Sequence, residues 1–122
     1  MNKLDILCIG TALIDSIIKG FDPNPISASG FIADSGSLNV GGEAVNEAVT
    51  AAKLGAKTGI LCSLGQDAAG DMIISSLKLN GVNTDHVIRS AENPTPVTTM
   101  FVNADGTRKS ITNSSHKYNF HP

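Results

Sequence analysis

The chain has 122 residues, with 9 Lys plus Arg against 11 Asp plus Glu, a formal net charge of −2, 41% apolar residues and only 16% charged ones. That length fits one domain whose core buries roughly two-thirds of the surface the unfolded chain exposes. The lack of a basic run removes the electrostatic footprint of a nucleic-acid binder, and no apolar stretch approaches the roughly 20 residues that cross a bilayer.

In chain order, residues 1–5 show neither the charged start nor the long apolar stretch of a secretory leader, which predicts a cytoplasmic protein. Residues 5–11 form a short apolar run ending in glycine, the pattern of a parallel strand buried on both faces. Ser16, Ile17 and Ile18 read as strand, Asp22-Pro23-Asn24-Pro25 as a turn, and residues 35–40 as a second extended stretch before Gly41-Gly42. Residues 43–54 are rich in alanine, carry apolar residues at helical spacing, and stop at Gly55, a natural glycine just past a helix end. Residues 56–64 predict another buried strand, residues 67–79 a second helix ahead of Asn80-Gly81, and residues 86–89 a third short strand. Strand, helix, strand, helix, strand is the order of a parallel, doubly wound sheet. Cys8 and Cys62 sit inside the apolar runs without metal-ligand spacing, so both are expected to be buried, reduced thiols. After Pro94 the pattern alternates, with Val97, Thr99 and Phe101 on one face and Thr98, Met100 and Val102 on the other. A turn near Asp105-Gly106 and a return over residues 108–112 complete a hairpin, and the tail over residues 113–122 has no period.

The chemistry concentrates at Gly41-Gly42-Glu43-Ala44-Val45-Asn46, a glycine pair opening a helix with an asparagine in its first turn. Glycines let backbone approach a ligand, a helix N-terminus offers unpaired N–H donors, and an amide both donates to and accepts from hydroxyls, which suits a polyhydroxylated ligand. Tight strand-to-helix packing is the competing explanation of the pair. No Gly-Lys-Ser/Thr follows, so this is not a phosphate-binding P-loop. Asp15 lies just past the end of the first strand, where open α/β sheets bind ligands, and reads either as a hydroxyl-binding carboxylate or as a turn residue bonded to its own backbone. His86, His116 and His121 have no metal-ligand spacing, and no acid orients Ser114-Ser115-His116 as a nucleophile set, so no metal ligand is assigned.

The ordered series Gly41-Gly42-x-x-x-Asn46-x-Ala48, Leu54-Gly55, Gly65-x-Asp67-x-x-Gly70, Leu79-x-Gly81-Val82 and Asp105-Gly106-x-Arg108 resembles the N-terminal part of the PfkB (ribokinase-like) carbohydrate kinases. The resemblance implies a ribokinase-like α/β fold, a Rossmann-like parallel sheet with helices over about residues 1–15 and 40–92. It adds a small β-sheet lid over about 16–40 and 95–112, and implies that only the N-terminal part of a kinase domain is present. It implies ATP-dependent phosphorylation of a hydroxyl on a small sugar, sugar derivative or nucleoside, with ATP and Mg²⁺ as cofactors held mainly outside these residues, and a homodimer through the lid. Carried over by position, Asp15 and Asn46 bond substrate hydroxyls, Gly41 and Gly42 admit the backbone, and Thr98 and Met100 touch substrate from the lid. Gly65, Asp67 and Gly70 shape a strand-to-helix connection. Leu13 stands where ribokinases carry an asparagine, and Glu43 where they carry a lysine, so ribose is not implied. Glu43 either accepts from hydroxyls or only complements the helix dipole. The family's Gly-x-Gly-Asp motif, with its general base and anion hole, has no counterpart, so no catalytic residue is assigned and these residues alone are expected to be inactive. The alternative is a non-catalytic sugar- or nucleoside-binding or dimerisation module.

Overall fold

The computed structural model describes residues 3–20 and 30–113; the turn expected at Asp22-Pro23-Asn24-Pro25 and the tail from Ser114 lie outside the described residues. Along the chain come β1 (Ile6–Ile9), β2 (Leu13–Lys19), β3 (Ser35–Gly41), α1 (Glu43–Lys53), β4 (Thr58–Leu61), β5 (Ser63–Gly65), α2 (Ala68–Leu79), β6 (Ile88–Ser90), β7 (Val97–Val102) and β8 (Arg108–Thr112). β1 pairs in parallel with β4, and β5, which continues β4 after Cys62, pairs in parallel with β6. The expected βαβαβ order is therefore present, with both helices ending as the sequence predicts. Gly55 has φ 97° and Gly81 φ 76°, a conformation only glycine adopts without strain. Their N–H groups donate to Ala52 and Lys78 carbonyls, and the next residues, Ala56 and Val82, donate to Ala51 and Leu77, so the last turns are closed by paired backbone bonds.

The core joins Ala44, Val45 and Ala48 of α1, Ile60, Cys62 and Leu64 of the central strands, and Ile73 and Leu77 of α2. Both cysteines are free and buried, and burial pushes the Cys62 thiol up to about 11. One expectation is corrected. β1 is parallel but not buried on both faces: only Cys8 is buried, while Ile6, Leu7 and Ile9 are 43%, 41% and 59% exposed. β4 pairs with one edge of β1 and α1 packs against it.

A four-stranded sheet in the order β3-β2-β7-β8 stands beside this core, with β2 antiparallel to β3 and parallel to β7, and β7–β8 a hairpin. Ile14 pairs with Val40 on one side and Val97 on the other; Ile14 is 3% exposed and the other two pack against the core. Because strand side chains alternate, this buried row fixes the register and sends Asp15, one residue on, to the opposite face.

A polar knot fastens the same sheet to α2. Asp67 caps α2 by accepting from Gly70 N–H at 2.8 Å, and it also accepts from Thr95 N–H at 2.9 Å and Thr95 Oγ1 at 2.6 Å. Thr95 Oγ1 in turn accepts from Gly65 N–H at 2.9 Å, and Arg89 donates to Gly65 O at 2.9 Å and to Asp71 at 2.8 Å. The spacing Gly65-x-Asp67-x-x-Gly70 follows, since a Cβ on Gly65 would overlap the Asp67 carboxylate and one on Gly70 would come within 2.5 Å of Gly65 O. Desolvation raises the Asp67 carboxyl, but the bonds from Thr95 and Gly70 and the charge of Arg89 outweigh it and hold it below its ordinary value. A depressed carboxylate stabilises the fold above its unfolded pKa, near 3.9, and that contribution is lost as pH falls through the folded value. Thr95→Val, which leaves the Gly65 N–H without its partner, should cost about 2 kcal/mol, read as a lower urea midpoint at unchanged slope. Asp67→Asn should flatten the acid limb of stability against pH below about pH 4, and an unaltered limb would show that the knot does not carry it.

Candidate functional site

Asp15 is half-buried in the middle of β2, hydrogen-bonded strands on both sides, so the turn reading of this residue is excluded. Its carboxylate leans over Gly41, the last residue of β3: a Cβ on Gly41 would lie 2.7 Å from Asp15 Oδ2. Real Cβ atoms do not approach that closely, so glycine at 41 is what makes room for the carboxylate. Gly42 follows as the N-cap of α1 with φ 105°, and a Cβ there would overlap the Thr11 carbonyl. The chain therefore turns from strand to helix against the peptide between Thr11 and Ala12, and only glycine fits the turn. No side chain caps α1, while Gly42 O accepts from Asn46 N–H at 3.0 Å. The glycine pair thus joins the Asp15 carboxylate to the open end of a helix, where the backbone N–H groups carry partial positive charge.

Of the other expected site residues, the register brings Thr98 and Met100 onto the face of Asp15, whereas Asn46 opens toward α2. Glu43 is exposed in the first turn of α1, a position that complements the helix dipole. Asn46 is exposed one turn in, and borders an open pocket of about 350 Å³ with Val40, Thr50, Lys53, Ser76 and Asn80. Its backbone is tied to Gly42, but among the described residues no hydrogen bond links its side chain to Asp15. Thr98 pairs directly with Asp15 across β2 and β7, and Met100 pairs with Ile17, so both share the face of the sheet that carries Asp15. Thr98 Oγ1 is hydrogen-bonded to Thr112 Oγ1 at 2.9 Å. Arg108 is exposed and pairs with Val102 at the far end of that face. His86 is exposed, while His116 and His121 lie outside the described residues. The described residues hold no group of three or more His, Cys, Asp or Glu placed to bind a metal ion.

Sequence reasoning missed two members of the same face, Asn39 and Thr112, which pair with Asp15 and with Thr98. Asn39 stands two residues before Gly41, so the alternation of β3 was a signal for its face, but its place opposite Asp15 needed the register. Gly42→Ala should lower stability by about 1–3 kcal/mol, since both φ and the Thr11 contact oppose a side chain. A thermal midpoint equal to that of the unaltered chain would show that the turn tolerates Cβ.

The family model for pfkB family carbohydrate kinase matches residues 3–122. A ribokinase of Bacillus subtilis (strain 168) is 34% identical over 83 residues, covering 68% of this chain and 28% of that protein. A deoxyribokinase of Salmonella typhi is 32% identical over 102 residues, covering 84% of this chain and 33% of that protein. Among solved structures, Arabidopsis thaliana ribokinase complexed with ribose and ATP superposes with a TM-score of 0.82 at 26% identity, over 92% of this chain and 36% of that one. The chain spans a third or less of the curated relatives just named.

Proposed function

The chain belongs to the pfkB family of carbohydrate kinases, and from that premise we propose that it forms the substrate-binding part of an ATP-dependent kinase acting on a hydroxyl of a small sugar, sugar derivative or nucleoside. The observation that carries this reading is the Asp15 carboxylate held over Gly41 at the opening of α1. An ionised carboxylate only accepts hydrogen bonds, and sugar hydroxyls are the neutral donors it can hold in pairs. Gly41 and Gly42 leave backbone rather than side chain beside it, Asn46 and Glu43 add polar groups from α1, and Thr98 and Met100 supply the wall on β7. These residues bind and orient the acceptor; phosphoryl transfer depends chiefly on such positioning and on stabilising charge. ATP is the proposed phosphoryl donor. Among the described residues no group of three or more acidic, imidazole or thiol side chains is placed to hold a metal ion, so no step is assigned through magnesium; no general base is named, because the Gly-x-Gly-Asp motif has no counterpart in these residues.

A non-catalytic binding module remains the alternative for these residues taken alone. The two buried, free thiols favour a reducing, cytoplasmic setting. The 122-residue chain should give saturable amide shifts with a pentose, a hexose or a nucleoside, and Asp15→Asn should weaken that binding about tenfold or more at unchanged thermal midpoint. Absence of binding by every class would overturn the reading. The same chain with ATP, Mg²⁺ and the bound sugar should show no sugar-dependent ATP turnover; sustained turnover would show that it carries its own phosphoryl-transfer machinery.

Assembly through the lid is favoured by a specific pattern. Leu38, Ser16, Thr99 and Ile111 form one cross-strand row on the face away from Asp15, and its two ends, Leu38 and Ile111, are 61% and 68% exposed. We propose that this row meets its counterpart in a second copy. Sedimentation should show concentration-dependent dimers that Ile111→Asp abolishes, and a single unchanged monomer mass in both would remove the proposal.

A further inference from the structure

Asp15 pairs with Asn39 on one side and Thr98 on the other, and Thr98 pairs with Thr112. Residues opposite one another in a sheet present their side chains on one face, with Cβ atoms about 5 Å apart, so four polar side chains stand in a row. At the β8 end this row is closed on itself, because the two threonine hydroxyls bond to each other at 2.9 Å. At the β3 end Asn39 is exposed, and its Nδ2 donates to Ser37 Oγ at 3.1 Å, which uses one of its two N–H donors and neither carbonyl lone pair. Asparagine is disfavoured in strands, and one in the exposed middle of β3 adds nothing to folding that threonine would not.

Building on the sugar-binding reading above, we infer that Asn39 is a specificity-determining residue of that site. A hydroxyl lying between the two side chains donates to the Asp15 carboxylate and accepts from the Asn39 amide, a pairing that neither a carboxylate alone nor two carboxylates can give. The site thereby selects sugars that carry the hydroxyl Asn39 receives over analogues that lack it. Without that hydroxyl, a polar group at the site loses its partner, and such losses discriminate more strongly than added bulk does.

The test titrates the 122-residue chain with ribose, fructose, a ribonucleoside and the monodeoxy analogues of each, reading affinity from amide shifts. Asn39→Thr suits a strand and should leave the thermal midpoint unchanged. The unaltered chain should bind one deoxy analogue about fivefold more weakly than its parent; Asn39→Thr should bind the parent about fivefold more weakly and no longer distinguish the two. If Asn39→Thr keeps both affinity and discrimination while Asp15→Asn loses binding, the role of Asn39 is overturned and the sugar site stands. If the unaltered chain binds none of these ligands, or Asp15→Asn binds as it does, the sugar site itself falls and the role of Asn39 with it.

Discussion

Ile14 is buried between Val40 and Val97, and that burial decides which face of the four-stranded sheet Asp15 occupies. A slip of one residue would bring Ile14 to the surface and drive the Asp15 carboxylate into the core, where an unpaired charge costs several kcal/mol. The register of β2 against both neighbours is therefore held by a penalty on each face. Every feature of the candidate site follows from it: Gly41 beneath the carboxylate, Gly42 turning into α1, and Thr98 opposite on β7.

The second fastening is polar and acts at the lid's root. Thr95 joins Asp67 at the head of α2 and is followed by Pro96, whose carbonyl accepts from Ile14 N–H at 3.0 Å, and by Val97, the first residue of β7. Asn113, just past β8, donates to Thr95 O at 3.1 Å and accepts from Val97 N–H at 2.9 Å. Both ends of the hairpin thus return to one residue, Thr95, which is itself 1% exposed. A buried polar network stabilises only when its members are satisfied, and here the carboxylate, the hydroxyl and the Gly65 N–H answer one another. The glycines at 65 and 70 are part of that condition, because side chains at either position would occupy the space the bonds require.

The parts of this fold that rest on neighbours in sequence were readable. Helix ends at Gly55 and Gly81 follow from glycine's access to positive φ, and the hairpin tip at Asp105-Gly106 from turn chemistry. The motif Gly65-x-Asp67-x-x-Gly70 was read as a shaped connection, and the structure gives its reason in the Asp67 cap. The parts that rest on neighbours in space were not. The apolar run of β1 looked buried on both faces because an apolar strand carries no record of which surfaces are covered, and Ile9 is 59% exposed. Thr95 and Arg89 are ordinary residues until the fold brings them within hydrogen-bond distance of Asp67 and Gly65. Asn39 comes to stand beside Asp15 only through the register of β2 against β3.

The two fastenings explain why the polar row sits where it does along the lid. Asn39, Asp15, Thr98 and Thr112 follow immediately after the buried row of Val40, Ile14 and Val97, so the groups read as hydroxyl binders inherit the rigidity of the core. Farther out, among the described residues, the hydrogen bonds that close the turn at residues 103–107 lie within the turn itself. The row nearest the core is the one whose neighbours are buried or packed against the core. A hydroxyl-binding carboxylate belongs at the stiff end, where holding its position costs no ordering on binding.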